Sequence, residues 1–126
     1  MYPQELLYTR EHEWIRVSDR RGVVGITSYA QEQLGDVVFV ELPRVGTTVE
    51  QGKPFGVVES VKTASDLFAP VSGTVIEVNE KLVDQPELVN QDPYGEGWMI
   101  ILEIADPAQL HSLLTAEQYE ALVRAA

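Results

Sequence analysis

Cysteine is absent from the chain. No disulfide can staple it, no thiol can act as nucleophile, and no thiolate can hold a metal or run a CxxC redox cycle. Any sulfur chemistry has to arrive on an attached group. Basic residues are scarce as well: nine Lys and Arg stand against 20 Asp and Glu, for a formal charge of −11. That balance argues against a nucleic-acid partner, which calls for a basic face, and against an electrostatic hold on an anionic membrane. It suits a soluble monomer steered toward basic patches on its partners. No apolar run approaches the ~20 residues that span a bilayer. The N-terminus, MYPQELLYTREHEW, lacks a basic segment followed by an apolar one, and is neither Arg-rich nor acid-poor. A cytoplasmic protein of bacterial type is the simple expectation, with a mature mitochondrial protein freed of its presequence as the alternative.

What is present is a pattern of short β-rich runs. Glu13 to Val17, Val23 to Ile26, Val37 to Leu42, Phe55 to Glu59, Thr74 to Val78 and Trp98 to Ile104 favour strand. Turn-formers separate them at Asp19 to Gly22, Pro43 to Gly46, Gln51 to Pro54, Val71 to Gly73 and Asp92 to Gly95. Many short strands with regular punctuation predict a mainly β sandwich or flattened barrel. Three helices are expected: Tyr29 to Leu34, capped by Ser28 with Gln31 in a capping box and Gly35 as stop; one opened by Asp106-Pro107; and one opened by the Thr115 to Gln118 capping box, with Leu114 and Tyr119 placed for a hydrophobic staple. A weaker turn is expected around Asn79 to Val83. Val45 to Glu50 faintly echoes Val71 to Glu77. At 126 residues and 44% hydrophobic content, with no long linker, one domain is expected. Its core would run from about residue 8 to 104, with a helical C-terminal extension from about 106 to 126.

Between Phe55 and Val78 the only positive charge is Lys62. Val57-Val58-Glu59 before it and Leu67-Phe68 after it favour strand, so the polar stretch Ser60 to Asp66 reads as a hairpin with Lys62 at or near its tip. Val61 to Ala64 holds none of the usual turn residues. A lysine there is either an ordinary solubilising charge or a primary amine offered on a flexible stem for covalent modification.

The residues around it resemble a known attachment segment. Glu59-Ser60-Val61-Lys62-Thr63-Ala64-Ser65-Asp66, followed by Ala69 to Gly73, is similar to the lipoyl-attachment segment of the glycine cleavage system H protein family. Further blocks follow in order: Glu11 to Trp14, Val24 to Thr27, Tyr29 to Asp36, Val40 to Pro43, Val78 to Glu80, Pro86 to Asn90 and Asp92 to Ile100. The resemblance covers roughly Tyr8 to Ile104. It implies a lipoyl-domain-like flattened barrel (a barrel-sandwich hybrid) of two antiparallel sheets, with short peripheral helices and a C-terminal helix. It also implies lipoic acid joined to Lys62 by an amide bond, as N6-lipoyllysine. The implied function is a non-catalytic carrier. An aminomethyl group derived from glycine would travel on the arm between a pyridoxal-phosphate glycine decarboxylase (P protein), a tetrahydrofolate-dependent aminomethyltransferase (T protein) and a dihydrolipoamide dehydrogenase (L protein). Lipoylating enzymes are further implied partners.

Other residues take expected roles from this reading. Glu59 and Gly73 are candidates for recognition by the lipoylating enzyme, Gly73 through a turn with positive φ; the alternative for Glu59 is an ordinary acidic residue at a strand end. Glu13, Asp66 and Glu11 are candidate acids of a cleft that would hold the cationic end of the loaded arm through charge-assisted hydrogen bonds. Glu11 and Glu13 share one face of an extended segment. Glu11 is an acid where the family often has a small polar residue. The alternative for all three is an ordinary solvated acid. His12 and His111 have no metal-ligand spacing, and no zinc site is expected. Trp14, Phe39 and Trp98 are expected to pack the core or line the cleft.

Close variants of the carrier reading are a 2-oxoacid dehydrogenase lipoyl domain, normally shorter and followed by a linker, and a biotin carrier, which usually flanks its lysine with methionines. Two readings come from other classes. One is a small hydrolase using Glu11, Glu13 or Asp66 as paired carboxylates. The other is a plain β-sandwich interaction module.

Overall fold

The computed structural model describes residues 1–126. Its strands are β1 (Leu7–Tyr8), β2 (Glu13–Ser18), β3 (Arg21–Ile26), β4 (Val37–Glu41), β5 (Thr48–Val49), β6 (Pro54–Ser60), β7 (Ala64–Phe68), β8 (Gly73–Val78) and β9 (Ile100–Ile104). They form two antiparallel sheets, of order β1-β2-β3-β9-β8-β5 and β4-β6-β7. Period-two alternation explains why the sheets face each other. In the smaller sheet Val40, Val58 and Leu67 are buried while their neighbours Glu41, Glu59 and Asp66 are exposed. The buried residues join Ile15, Val24 and Leu102 of the larger sheet in one core. This is the flattened barrel-sandwich that the strand pattern and the resemblance predict.

Four helices surround it: α1 (Ser28–Leu34), α2 (Lys81–Asp84), α3 (Leu88–Gln91) and α4 (Ala116–Ala125), with a 3-10 helix at Pro107–Ser112. The expected caps at Asp106 and Thr115 form, the second as a full capping box with Gln118. The first helix is capped one residue earlier than expected. Thr27, not Ser28, accepts from the Ala30 amide, and Gln31 turns back to the Ser28 carbonyl instead of closing a capping box. Gly35, at φ 80°, ends α1 as expected. The last long strand starts at Ile100, not Trp98, because Trp98 still bonds back to Gly95 in the preceding turn. The two-residue strands β1 and β5 and the single turn of α3 are too short to leave a pattern. The two echoing segments prove to be partners: β5 pairs antiparallel with β8.

Two further expectations need correction. Gly73 is not a positive-φ turn residue. It opens β8 inside the larger sheet, between Val49 and Ile104, where a Cβ would collide with the Glu103 carbonyl. Close backbone approach, not backbone conformation, calls for glycine there. Phe39 is 49% exposed and outside the core. A register shift between Val37 and Phe39 inserts an extra residue, so Val38 and Phe39 both face outward before Val40 returns to the core.

Beyond β9 the chain returns to the body. Leu114 and Tyr8 exchange both backbone hydrogen bonds, each of 2.8 Å. A second apolar cluster, of Leu6, Tyr8, Trp14, Ala116 and Tyr119, then binds α4 to the N-terminal strands. Leu114 packs on this cluster, consistent with the expected staple to Tyr119. No helix is long and apolar enough to cross a membrane.

Candidate functional site: the hairpin tip and its cleft

With β6 ending at Ser60 and β7 starting at Ala64, the hairpin turn consists of Val61, Lys62 and Thr63. Ser60 supplies the turn chemistry that the sequence seemed to lack. Its amide donates to the Thr63 carbonyl at 2.7 Å, and its Oγ accepts from the amides of Lys62 and Thr63 at 3.2 and 3.1 Å. The Val61 amide donates to the Asp36 carbonyl at 3.0 Å, which rests the tip on the loop after α1. Lys62 is exposed, and its ammonium makes no ion pair; the chain's two ion pairs are Lys81–Glu96 and Arg124–Glu120. An unpaired primary amine on a short, anchored turn is open to acylation by an activated carboxylic acid.

The lysine stem passes over Gly35: a Cβ added there would lie 3.3 Å from Lys62 Cε. Gly35→Ala therefore combines a left-handed backbone penalty with crowding of the stem. A loss of about 1–2 kcal/mol in denaturant unfolding is expected, and an unchanged midpoint would contradict it.

Beside the hairpin lies a cleft of about 270 Å³. Thr63, Ser65 and Asp66 form one wall, Ala30 and Leu34 of α1 the floor, and Glu11, His12 and Glu13 the opposite wall. The structure thus brings the three candidate acids together, but in different states. Glu11 and Asp66 are exposed, whereas Glu13 is 2% exposed. Glu13 Oε1 accepts from the Thr9 hydroxyl at 2.5 Å, and Oε2 accepts from the Phe68 amide of β7 at 3.1 Å. Burial pushes its carboxyl up to about 7, only partly offset by these hydrogen bonds, while the negative charge of Glu11 adds to the rise. Glu13 is also the partition to a second hollow of about 330 Å³, walled by Phe68, Pro70 and Leu113.

Glu59 is exposed on the outer face of the smaller sheet, opposite Phe39 and Ala64. Gly73 lies in the other sheet and takes no part in the hairpin. Trp14 is fully buried, with its indole N–H directed at the carbonyls of Ile26 and Pro93.

Sequence reasoning gave no role in shaping the site to several residues that have one. Thr9 Oγ1 accepts from the amides of both Glu11 and Glu13, at 3.1 Å each. His12, between the acids, adopts φ 76° and places Nδ1 2.7 Å from the Tyr119 hydroxyl. Asn90 holds the start of β4 and the end of α1 together, accepting from Val37 N and donating to the Gly35 carbonyl. Only Thr9, four residues before Glu13 and able to fold back on it, left a local signal.

The family model described as Glycine cleavage H-protein matches residues 6–126. The chain belongs to the glycine cleavage H-protein family. It is 61% identical over 122 residues to the glycine cleavage system H protein of Symbiobacterium thermophilum, covering 97% of this chain and 95% of that one. It is 59% identical over 121 residues to the protein of the same name from Carboxydothermus hydrogenoformans, covering 96% and 93%. Among solved structures it is similar to a glycine cleavage system H protein from Mycobacterium marinum. The TM-score is 0.87 at 44% identity, over 97% of this chain and 98% of that one. Family membership extends across α4, the segment in which the residue pattern alone was least distinctive.

Proposed function

We propose that this chain is the lipoyl-bearing carrier of a glycine cleavage system, acylated at Lys62 Nζ. One observation carries the reading: in a chain of this family, an unpaired amine at the tip of an anchored hairpin adjoins a cleft with carboxylates on its wall. When bound, lipoic acid supplies a dithiolane that can be reduced and can carry an aminomethyl group on sulfur.

The chain's own residues supply a tether, a seat and a docking face. The Lys62 stem and the turn beneath it hold the arm away from the body. Ile26, Ala30 and Leu34 offer apolar surface to the hydrocarbon of the arm, and Glu11, Glu13 and Asp66 offer charge to a terminal ammonium. Such a seat shields the load from water between partners. Exposed Glu59, beside the tip, is a contact for the lipoylating enzyme, whereas Gly73 acts by keeping β8 and β9 close. Val38, Phe39 and Val61 are exposed near the tip and suit contact with the glycine decarboxylase, the aminomethyltransferase and the dihydrolipoamide dehydrogenase. Bond-making is left to those enzymes.

The test is reconstitution. Lipoylated protein mixed with the three enzymes, glycine, tetrahydrofolate and NAD is expected to support glycine-dependent NADH formation, and unmodified protein is not. Equal rates with both forms would refute the carrier reading. Because the chain carries −11 charges, docking is expected to weaken severalfold between ~0.01 M and ~1 M salt, as the screening length falls from about 30 to about 3 Å. Titrations giving the same affinity at both salts would show that charge plays no part.

A further inference from the structure

Tyr119 belongs to the C-terminal helix, yet its hydroxyl links His12, on one wall of the cleft, to Thr27 at the start of the helix that forms the floor. The side chain is fully buried. Its ring stacks on Tyr8 at 4.7 Å and takes Tyr2 edge-on at 4.8 Å. The hydroxyl oxygen is 2.7 Å from His12 Nδ1 and 2.7 Å from Thr27 Oγ1. His12 lies between Glu11 and Glu13 on one wall. Thr27 caps α1, which carries Ala30 and Leu34 on the floor. One hydroxyl from a third element therefore joins the His12 wall to the helix that forms the floor.

Hydrogen counting fixes the direction of this chain. Thr27 Oγ1 already accepts from the Ala30 amide at 3.1 Å. If Thr27 donates to Tyr119 and Tyr119 donates to His12 Nδ1, both buried hydroxyl hydrogens are paired and the imidazole, a half-buried ring that lines the cleft, carries its proton on Nε2. The opposite direction leaves the Thr27 hydroxyl hydrogen without an acceptor at a fully buried site, a costly state. The chain thus specifies one tautomer of a neutral His12. Burial, which disfavours the imidazolium, acts in the same sense. His12 has a further reason to need a restraint: φ 76° is unfavourable for a residue with a Cβ. Its remaining support is its own amide on the Thr9 carbonyl at 3.3 Å, the Thr27 amide on its carbonyl at 3.0 Å and the Tyr29 ring at 4.9 Å.

We propose that Tyr119 is a positioning residue for the arm cleft: its hydroxyl locks His12 against the cap of α1, so that the C-terminal helix sets how closely the cleft shields a loaded arm. This rests on the reading that the arm docks in that cleft. The load is lost by hydrolysis. Water adds to the methylene carbon, the C–S and C–N bonds break, and a thiol, formaldehyde and ammonium result. For the test, the reduced arm is loaded by driving this reaction in reverse with excess formaldehyde and ammonium.

The experiment compares wild type with Tyr119→Phe and Tyr8→Phe. Each variant deletes one buried hydroxyl from the same stacked pair, but the Tyr8 hydroxyl donates to the Pro3 carbonyl at 2.6 Å and has no link to His12. The first readout is the ¹⁵N shift pair of the His12 imidazole in unmodified protein. The Nε2–H tautomer is expected in wild type and Tyr8→Phe, and a mixture in Tyr119→Phe. The second is the rate of aminomethyl loss, expected to rise about fivefold in Tyr119→Phe, the factor that one hydrogen bond of ordinary strength represents, and to stay within about twofold in Tyr8→Phe. Wild-type tautomer and rate in Tyr119→Phe would overturn the proposal, as would equal acceleration in both variants. Wild-type protein that shields its load no better than free aminomethyl-dihydrolipoamide would overturn the docking reading, and the proposal with it.

Discussion

Lys62→Arg is expected to abolish acylation completely while leaving the fold intact. Arginine keeps the positive charge and most of the stem, but a guanidinium that stays protonated cannot serve as the attacking amine. Lys62 is exposed and has no ion pair, so the exchange breaks no charge pairing, and the arginine stem can pass over Gly35 as the lysine stem does. The chain has only three lysines, which makes the result easy to read. Lys81 is held by Glu96 at 2.6 Å, and Lys53 lies in a turn at the other end of β6. Intact mass and peptide mapping of protein from a lipoate-supplying host should show one lipoyl-sized increment, on the Lys62 peptide in wild type and nowhere in Lys62→Arg. An increment at Lys53 or Lys81, or none at all where a control lipoyl domain is modified, would overturn the carrier assignment.

Retention of the loaded arm should fall steeply as pH drops below about 7, and Glu13 should be the cause. Its carboxyl is raised from an ordinary 4.5 to about 7, chiefly by burial. Below that pH Glu13 is neutral, and a cationic arm keeps only the exposed Glu11 and Asp66. The ionised fraction falls by up to tenfold per pH unit below 7, and the wild-type advantage in retention over Glu13→Gln should shrink with it. The variant, which cannot ionise, should show no such dependence.

The same group affects stability with the opposite sign. A carboxyl whose folded pKa is raised binds its proton more tightly in the native than in the unfolded state. Its contribution is greatest below about pH 4.5 and is lost as pH rises through about 7, by roughly 3 kcal/mol in all. His12, lowered by burial, works against this trend at the acid end. The difference between wild type and Glu13→Gln in urea unfolding from pH 5 to 8 isolates the Glu13 part. A difference that stays flat over that range would show that Glu13 titrates normally.

Much of the fold was legible because strand alternation and helix caps are local. The runs around Val24, Val58 and Val75 read correctly from residue type, and Asp106 and Thr115 announced their helices. Errors arose where two local choices were equivalent and a distant residue decided between them. Thr27 and Ser28 can both cap α1; Thr27 does so where its hydroxyl also meets Tyr119, 92 residues away. Phe39 reads as core until the bulge at Val38 turns it outward. Gly73 follows turn-formers, yet the constraint on it is the Glu103 carbonyl across the ladder. The family resemblance singled out Lys62 but not why the turn holds, since Ser60 acts through hydrogen bonds that its residue type alone does not specify.

The sequence by itself determined a cysteine-free acidic chain, a set of half-buried strands and one lysine between two of them, because charge, alternation and turn chemistry act within a few residues. The tertiary structure alone decided the cleft. Glu13 and Phe68 meet only because β2 and β7, in different sheets, are stacked face to face, and their hydrogen bond joins positions 55 residues apart. Burial at that junction turns one of three similar acids into a carboxyl that titrates near neutrality. Packing of the last helix on the N-terminal strands likewise brings Tyr119 to His12 on one wall and to the Thr27 cap of α1.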